Sequence, residues 1–444
     1  MVRAMMRRRI QLALTAAVGA GWSAAAGGAV AVEPALEPDK ALLAKIEALP
    51  GNTWLKVGPV KTAGDLSWCG KPSWPNTRNI PRFGPDGRDY CVRMAWAPER
   101  RRALFCGGNH RMPHYVNDVW ECDLPSNTWV CLYAPDPQYP VLGSYPYGPR
   151  ASYPREKEEQ VVAWVKRNVV YEDGVVKTKR AGPARPSHTW YGLCYDSERR
   201  RMYFLDPHQG LIFTDEVTMA KALGVEPLET SYWRKEKKRP GAYIWSFDPA
   251  ARKWDGVQTG VPRCAAPAME FVPGLQALWL RSGSDAYLCD RKGERWTWQP
   301  LAKGQAGYGT VSAYDPHSKT IVVVDAKKTS TFSLAAREWK LVQPDPPIGG
   351  RDATCFFYYD PVARLFVLYT RVKPGGLWLY DLEANRWIDP KPKGDVPPPG
   401  RGHMTGYYDP ARNVTVYYNG REVWLYRCKR EGKAITNPPA KGSG

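Results

Sequence analysis

A two-part pattern recurs six times along this chain: a turn between two hydrophobic runs, then an aromatic strand, a polar turn and a tryptophan. The turns are of the Asp-Pro type or close to it, and they lie at Ala97-Pro98, Asp196-Ser197, Val272-Pro273, Asp315-Pro316, Asp360-Pro361 and Asp409-Pro410. Five units end in a tryptophan, at Trp129, Trp254, Trp296, Trp339 and Trp387. Repeats of about 40 to 50 residues with several short strands each are typical of β-propeller blades.

The sixth unit ends near residues 422–426 without a tryptophan of its own, and the missing piece lies at the other end of the chain. Asn52-Thr53-Trp54 repeats the sequence of Asn127-Thr128-Trp129. A strand that contains Trp54 can therefore complete the last unit and close a ring. The sequence predicts an all-β fold, a six-bladed β-propeller of four-stranded antiparallel blades closed by the N-terminal strand.

The fifth unit is the clearest copy of such a blade. It predicts strand a over 354–359, strand b over 365–369, strand c over 377–380 and the start of strand d at Arg386-Trp387. The Asp-Pro pair favours a tight reversal between a and b, because proline fixes φ and the aspartate side chain bonds nearby amides. The tryptophan of strand d is large enough to fill the wedge between blades.

Two segments carry a family resemblance. Val119-Trp120-Glu121-Cys122-Asp123 up to Trp129, preceded by Gly107-Gly108, and Leu377-Trp378-Leu379-Tyr380-Asp381 up to Trp387 resemble kelch repeats. Those repeats have a glycine pair after strand b, an aromatic-x-aromatic-Asp strand c and a tryptophan in d. The resemblance spans about 52–430 and implies a propeller similar to the kelch and galactose-oxidase central-domain superfamily, whose longer loops form the ligand surface.

The N-terminal segment of the chain predicts export. Arg7-Arg8-Arg9, an apolar stretch over 10–28 and the small residues Ala29-Val30-Ala31 are typical of a signal peptide over 1–31, with an uncleaved membrane anchor as the alternative. We expect a short linker or helix over 32–51, the propeller over 52–430 and a flexible tail over 431–444. The predicted location is periplasmic or extracellular, with no membrane span after cleavage.

The formal net charge is +19, which attracts anions. An acidic polysaccharide, an anionic envelope component or a negatively charged protein would each suit this charge, although it can also serve solubility alone. No basic region alternates with aromatic residues as in nucleic-acid modules, so we expect no nucleic-acid partner. The chain is expected to be a monomer.

The ten cysteines form an even set, which in an exported chain predicts some disulfides. Cys91, Cys106, Cys122 and Cys131 fall one on each strand of the first unit, and the spacing leaves their pairing open. The absence of a Cys-x-x-Cys pair makes a zinc site improbable, and we expect no metal or cofactor.

Topology assigns the long segments to one face of the ring. Because strands a and b are antiparallel, the connection entering a and the connection leaving b emerge together, opposite the short a–b and c–d turns. The loop at 107–117 and the insertions at 134–187 and 206–241 fall on this loop-rich face, where ligands usually bind. We expect a hairpin from 160–171 through Asp173-Gly174, a helix over 215–223 and a basic loop over 234–239.

Candidate site residues follow from this face. His188, His208 and His403 have pKa values suited to acid–base catalysis. Arginines before the inner strands can present guanidinium groups to carboxylate or sulfate, or can instead bond backbone carbonyls across blades. The ligand-binding candidates are Arg88, His110, His114, Arg263, Arg351 and Arg401.

Three functions suit these features. The first is a binding module for an acidic glycan or anionic envelope component, acting through the loop-rich basic face. The second is a carbohydrate-active enzyme (a lyase, hydrolase or sugar epimerase) with histidine and arginine at the channel mouth. The third is a protein–protein scaffold. The sequence contains no nucleophile motif, paired-carboxylate signature or phosphate loop.

Overall fold

The computed structural model describes most of the repeat region of the chain. The described residues are 35–74, 77–85, 88, 90–107, 116–137, 155–172, 175–184, 186, 188–206, 222–224, 242–264, 266–291, 296–304, 307, 309–325, 328–349, 355–371, 375–398 and 404–430. They belong to one compact unit, Pro34–Gly444. The predicted signal peptide, the predicted tail, residues 215–221 of the helix predicted over 215–223 and the predicted basic loop over 234–239 lie outside the described residues.

Six antiparallel sheets of four strands form a ring, so the fold is the predicted six-bladed β-propeller. We number the blades I to VI in chain order of their inner strands. The a strands are Ala95–Ala97, Leu193–Asp196, Ala268–Val272, Val311–Asp315, Cys355–Asp360 and Thr405–Asp409. The b strands are Arg102–Phe105, Arg201–Asp206, Ala277–Ser282, Thr320–Asp325, Leu365–Thr370 and Val414–Tyr418.

The outer half of each blade completes the sheet. The c strands are Val119–Asp123, Ala242–Asp248, Asp285–Asp290, Lys328–Ser333, Gly376–Asp381 and Glu422–Arg427. The d strands are Thr128–Tyr133, Lys253–Val261, Thr297–Pro300, Glu338–Val342, Arg386–Ile388 and Thr53–Pro59. Two short strands add a parallel outer edge, Lys61–Gly64 on blade I and Lys393–Gly394 on blade VI.

The N-terminal strand Thr53–Pro59 closes the ring by pairing antiparallel with strand c of blade VI, with Trp54 opposite Tyr426. Trp54 is 2% exposed and packs edge-on against Tyr369 and Tyr417. Near the channel, the Met94 amide donates to the Gly406 carbonyl at 3.1 Å, which joins blade I to blade VI. The first and last parts of the repeat region are thus joined both at the outer strands of blade VI and near the central channel.

A short helix, Lys40–Glu47, precedes the closing strand and is fixed to blade VI by Arg427. The Arg427 guanidinium donates to the carbonyls of Ile46 at 2.7 Å and Leu49 at 3.0 Å, at the C-terminal end of the helix. This contact couples the segment before the ring to the last c strand.

The tryptophans of strand d occupy equivalent register positions, with one correction to the sequence analysis. Trp129 pairs with Cys122 and Trp387 with Tyr380, and in blade III the equivalent residue is Trp298, opposite Cys289. Trp296 precedes that strand and packs edge-on against Tyr203 instead. The prediction of Trp296 was wrong by two residues because strand d of blade III begins later than the Arg-Trp pair suggests.

The insertion between blades I and II differs from the prediction in its first arm. Residues predicted as a hairpin strand from 160 form the helix Arg155–Asn168, and the hairpin is confined to Val169–Glu172 and Val175–Thr178. The dense charge of this segment and the burial of Val165, one helical turn before Val169, favour a helix. A third helix, of four residues, is Ile80–Phe83.

The Asp-Pro turns are built as their chemistry predicts. In blade V the Asp360 carboxylate accepts the Val362 and Ala363 amides, each at 2.9 Å. Burial nevertheless raises the pKa of Asp360, more than these hydrogen bonds lower it. The turn therefore holds a carboxylate whose charged form is disfavoured by its surroundings.

This leads to a prediction about pH. The pKa of Asp360 is higher in the folded chain than in the unfolded chain, so the folded chain binds a proton as pH falls through that pKa. At pH 7 the carboxylate is charged, and its burial then destabilises the fold most. Asp360→Asn keeps an acceptor oxygen without the charge, so we expect it to be at least as stable as the parent at pH 7, by up to about 1 kcal/mol. The difference should shrink towards pH 4. Urea unfolding at both pH values tests this; a variant that is clearly less stable at pH 7 would contradict it.

The structure describes all ten cysteines and joins none of them in a disulfide, so the prediction of disulfides was wrong. In blade I, Cys122 lies opposite Trp129 and Cys131 opposite Trp120, which keeps the two thiols out of direct register. Burial raises the pKa of Cys194 and of Cys289 to about 12, which keeps both protonated. Within the described part of the chain, no helix is long and apolar enough to cross a bilayer.

Candidate functional site

Most of the candidates from the sequence fall on segments that the structure does not describe. His110, His114, His208, Arg351, Arg401 and His403 lie outside the described residues. The three others, Arg88, His188 and Arg263, precede the a strands of blades I, II and III.

Arg88 is part of the protein interior. Its side chain pairs with Asp118 at 2.6 Å, and both side chains have no exposed surface. The same guanidinium donates to the Gly107 carbonyl at 2.7 Å. This is the alternative that the sequence analysis left open for such arginines, a bond to backbone and a buried partner, and it leaves Arg88 no exposed surface for a ligand.

His188 and Arg263 have contrasting surroundings. His188 is 2% exposed and lies between the rings of Tyr90 and Trp190, with centroid distances of 4.5 and 4.9 Å. Arg263 is exposed. Within the described structure, Arg263 therefore remains the accessible basic candidate on the loop-rich face.

The described residues enclose a cavity of about 350 Å³ in the central channel. It lies where the a strands run into the a–b turns, since its lining includes the turn prolines Pro273, Pro316, Pro361 and Pro410. We call it the central cup. It opens beside the short turns, on the face opposite the loop-rich one.

In each blade, the residue before the first turn position contributes an aromatic ring to the lining of the central cup. These residues are Trp96, Tyr195, Phe271, Tyr314, Tyr359 and Tyr408. Some of their hydroxyls bond within or between blades: Tyr195 donates to Glu99, and Tyr408 donates to Asn413 at 2.8 Å. The hydroxyl contacts fix the rings, whose surfaces then form the wall.

An ion pair crosses the floor of the central cup. Arg93, just before strand a of blade I, forms a bidentate ion pair with Glu270 of blade III. Its Nη1 donates to Oε1 at 2.8 Å and its Nη2 to Oε2 at 2.6 Å. Arg93 also donates to the Met269 carbonyl at 2.9 Å, and Ser312 of blade IV donates to Glu270. Residues from three blades therefore meet in this one contact.

Below the ion pair, Tyr191 closes the channel. Its ring lies 5.3 Å from the Arg93 guanidinium, and it reaches from blade II to the backbone of blade V, where its hydroxyl bonds the Phe357 carbonyl at 2.7 Å and accepts the Phe357 amide. Tyr191 is 1% exposed. The cup is thus a blind pocket and not an open pore.

Arg93 retains hydrogen-bonding capacity. Of the five N–H donors of a guanidinium, three are used by contacts within the described structure, which leaves Nε–H and one Nη2–H. The side chain is 21% exposed while Glu270 is 3% exposed. Burial alone would lower the pKa of Arg93, but the Glu270 carboxylate more than offsets it, so the pKa is raised and the guanidinium stays charged.

The a–b turns around the cup are basic. They carry Arg100, Arg101, Arg199, Arg200, Lys319, Arg364 and Arg412 against exposed Glu99 and Glu198 and the buried turn aspartates Asp196, Asp315, Asp360 and Asp409. Arg101, Arg200, Lys319 and Arg364 have φ between 52° and 56°, a left-handed conformation that costs a residue other than glycine about 1 kcal/mol. We call these four the basic rim. Long basic side chains stand where glycine would be less strained.

The sequence contains a signal for the central cup. The residue before the first turn position is aromatic in all six units, and equivalent positions of a propeller face the same channel. Arg93 and Glu270 gave no such signal, because they are separated by 177 residues and only the closed ring brings them together.

Few of the described side chains that line the cup could take part in catalysis or metal binding. Among the described residues that line it, Glu270 is the one carboxylate. Within the described ranges, no group of three His, Cys, Asp or Glu side chains could hold a metal ion. The arrangement suits binding of a ligand with an apolar ring face and an anionic group.

No protein-family profile matches the chain, and no curated protein sequence matches it. A solved structure with partial similarity is the hydrazine synthase of Kuenenia stuttgartiensis, with a TM-score of 0.30 and 12% identity over 39% of this chain and 49% of that one. This chain therefore spans about half of that solved chain.

Proposed function

We propose that this chain is an exported, kelch-like binding module that recognises an acidic glycan in the central cup. The observation that carries the proposal is the cup itself, a blind aromatic pocket with a charged, partly exposed guanidinium at its floor. The propeller fold supplies a rigid ring of six strands that holds these groups in place.

The aromatic wall supports a sugar as the ligand. Pyranose rings present C–H faces, which pack favourably on the electron-rich faces of aromatic rings. The cup is lined mainly by apolar and aromatic side chains with few polar groups, which is the usual make-up of a small-ligand site. Tyr314, Tyr359 and Tyr408 are partly exposed there.

The floor supports an acidic ligand. The two N–H donors that Arg93 retains can contact a carboxylate or sulfate without breaking the Glu270 pair. The net charge of +19 and the basic rim attract anions to this face. The two remaining donors of Arg93 at the floor, the basic rim at the mouth and the positive net charge of the chain therefore all favour an anionic ligand.

The geometry supports binding more than catalysis. Hydrolysis of a glycosidic bond usually needs two carboxyl groups about 5 to 10 Å apart. Glu270 is the one carboxylate of the described cup, and both of its oxygens face Arg93. The described cup lacks the paired acids of a glycosidase, so we place the enzyme second.

The wall gives a direct test of this proposal. Tyr314→Ala should weaken binding of trigalacturonate by about tenfold, because one stacking surface is lost. Tyr287→Ala is the matched control, since Tyr287 is a partly buried tyrosine of strand c in blade III, away from the cup. Isothermal titration calorimetry of the parent and both variants measures the effect, with maltotriose as the neutral probe.

The outcomes separate the candidate ligands. Binding of trigalacturonate that Tyr314→Ala weakens and Tyr287→Ala does not would support the proposal. Equal binding of maltotriose would show that the acidic group is not recognised. No sugar binding, with binding of an acidic peptide such as hexaglutamate, would favour the scaffold.

A further inference from the structure

We infer that the central cup recognises the end of an acidic glycan chain and not its interior, an inference that rests on the proposed function. The floor is the first reason. Arg93 and Glu270 join blade I to blade III across the channel, and Tyr191 joins blade II to blade V beneath them. A polymer cannot thread through this floor, so only a chain terminus can bring its carboxylate to Arg93.

The size of the cup is the second reason. Its volume of about 350 Å³ lies at the small end of the range for small-molecule sites, about 300 to 1,000 Å³. Such a space holds one or two sugar rings. A chain bound along its length would instead need a groove open at two sides, whereas aromatic residues of all six blades line this cup.

The basic rim gives a path for the rest of the chain. Arg101, Arg200 and Lys319 are exposed, and Arg364 is half-buried. Each lies in an a–b turn, four residues after its first position, and the prolines of two of these turns, Pro316 and Pro361, line the cup. The second to fourth acidic residues of a bound chain would therefore meet the positive charges at the mouth.

A length series of galacturonate chains from two to twelve units tests end recognition. We expect affinity to rise over the first few units and then level off, with one protein per chain at every length by titration calorimetry and analytical ultracentrifugation. Two or more proteins on a twelve-unit chain would overturn the inference but leave the proposed function intact. No binding at any length would overturn both.

The two ends of the chain can be altered separately. Reduction of the reducing end to an alditol changes one terminus, and a C4–C5 double bond in the non-reducing residue changes the other. We expect one of these changes to weaken binding by tenfold or more and the other to have little effect. If neither changes the affinity, end recognition is wrong.

A pair of arginine variants tests the rim. Arg200 and Arg252 both have a left-handed backbone, with φ of 56° and 53°, but Arg200 lies in the a–b turn of blade II and Arg252 in its outer c–d turn. Arg200→Gly should weaken a six-unit chain several-fold and leave a two-unit chain nearly unchanged. Arg252→Gly should affect neither, and equal effects of both variants would contradict a path over the rim.

Discussion

Replacement of Arg93 by methionine is expected to lower the free energy of unfolding by about 3 to 5 kcal/mol, because it leaves the Glu270 carboxylate buried without its ion-pair partner. Glu270 is 3% exposed, and its remaining described contact is the Ser312 hydroxyl. The fold would have to keep a nearly unpaired charge in the channel. Urea unfolding followed by tryptophan fluorescence measures the loss.

A double variant separates the stability of this pair from its role in binding. Arg93→Met combined with Glu270→Met removes both charges, and replacing a buried ion pair by apolar groups of similar size is often neutral or stabilising. We expect most of the lost stability to return while trigalacturonate binding stays absent. If the single variant lies within about 1 kcal/mol of the parent, the pair is not the buried floor contact described above.

The second large effect is expected at the ring closure. Trp54→Ala should cost about 3 to 5 kcal/mol, the usual range for truncating a buried tryptophan. Trp54 is 2% exposed and contacts Tyr369, Tyr417 and Tyr426, which belong to blades V and VI. Its loss would open a cavity where the two ends of the chain meet, and thermal and urea unfolding would both show it.

Trp339 is the matched control for this variant. It occupies the equivalent register position in blade IV, opposite Phe332, but is only partly buried. Trp339→Ala should therefore cost less than half as much as Trp54→Ala. Equal losses would mean that the N-terminal strand has no special part in closing the ring.

The architecture was predictable because all six units carry the same sequence pattern. Turn chemistry, strand composition and the tryptophan of strand d recur six times, and the Asn-Thr-Trp repeat at 52–54 indicated how the ring closes. Two local predictions were wrong, the tryptophan of strand d in blade III and the first arm of the hairpin between blades I and II. Trp296 and Trp298 both suit strand d of blade III. The Asp173-Gly174 turn predicted a hairpin strand from 160, although the charge pattern of 155–168 suits a helix.

The site was less predictable, for a physical reason. Loop length predicts which face has freedom to vary, but side-chain direction decides which residues reach the channel. Arg88 precedes an inner strand as predicted, yet its guanidinium turns inward to Asp118. Arg93, a few residues later, turns into the channel because Glu270 lies there. Only the assembled ring distinguishes the two arginines.

A crystal structure of the protein with digalacturonate tests the central claim most directly. The proposal predicts electron density for the sugar in the central cup, with a ring face on the aromatic wall and a carboxylate within hydrogen-bonding distance of Arg93. Density for the sugar on the loop-rich face near Arg263, with the central cup empty, would contradict it.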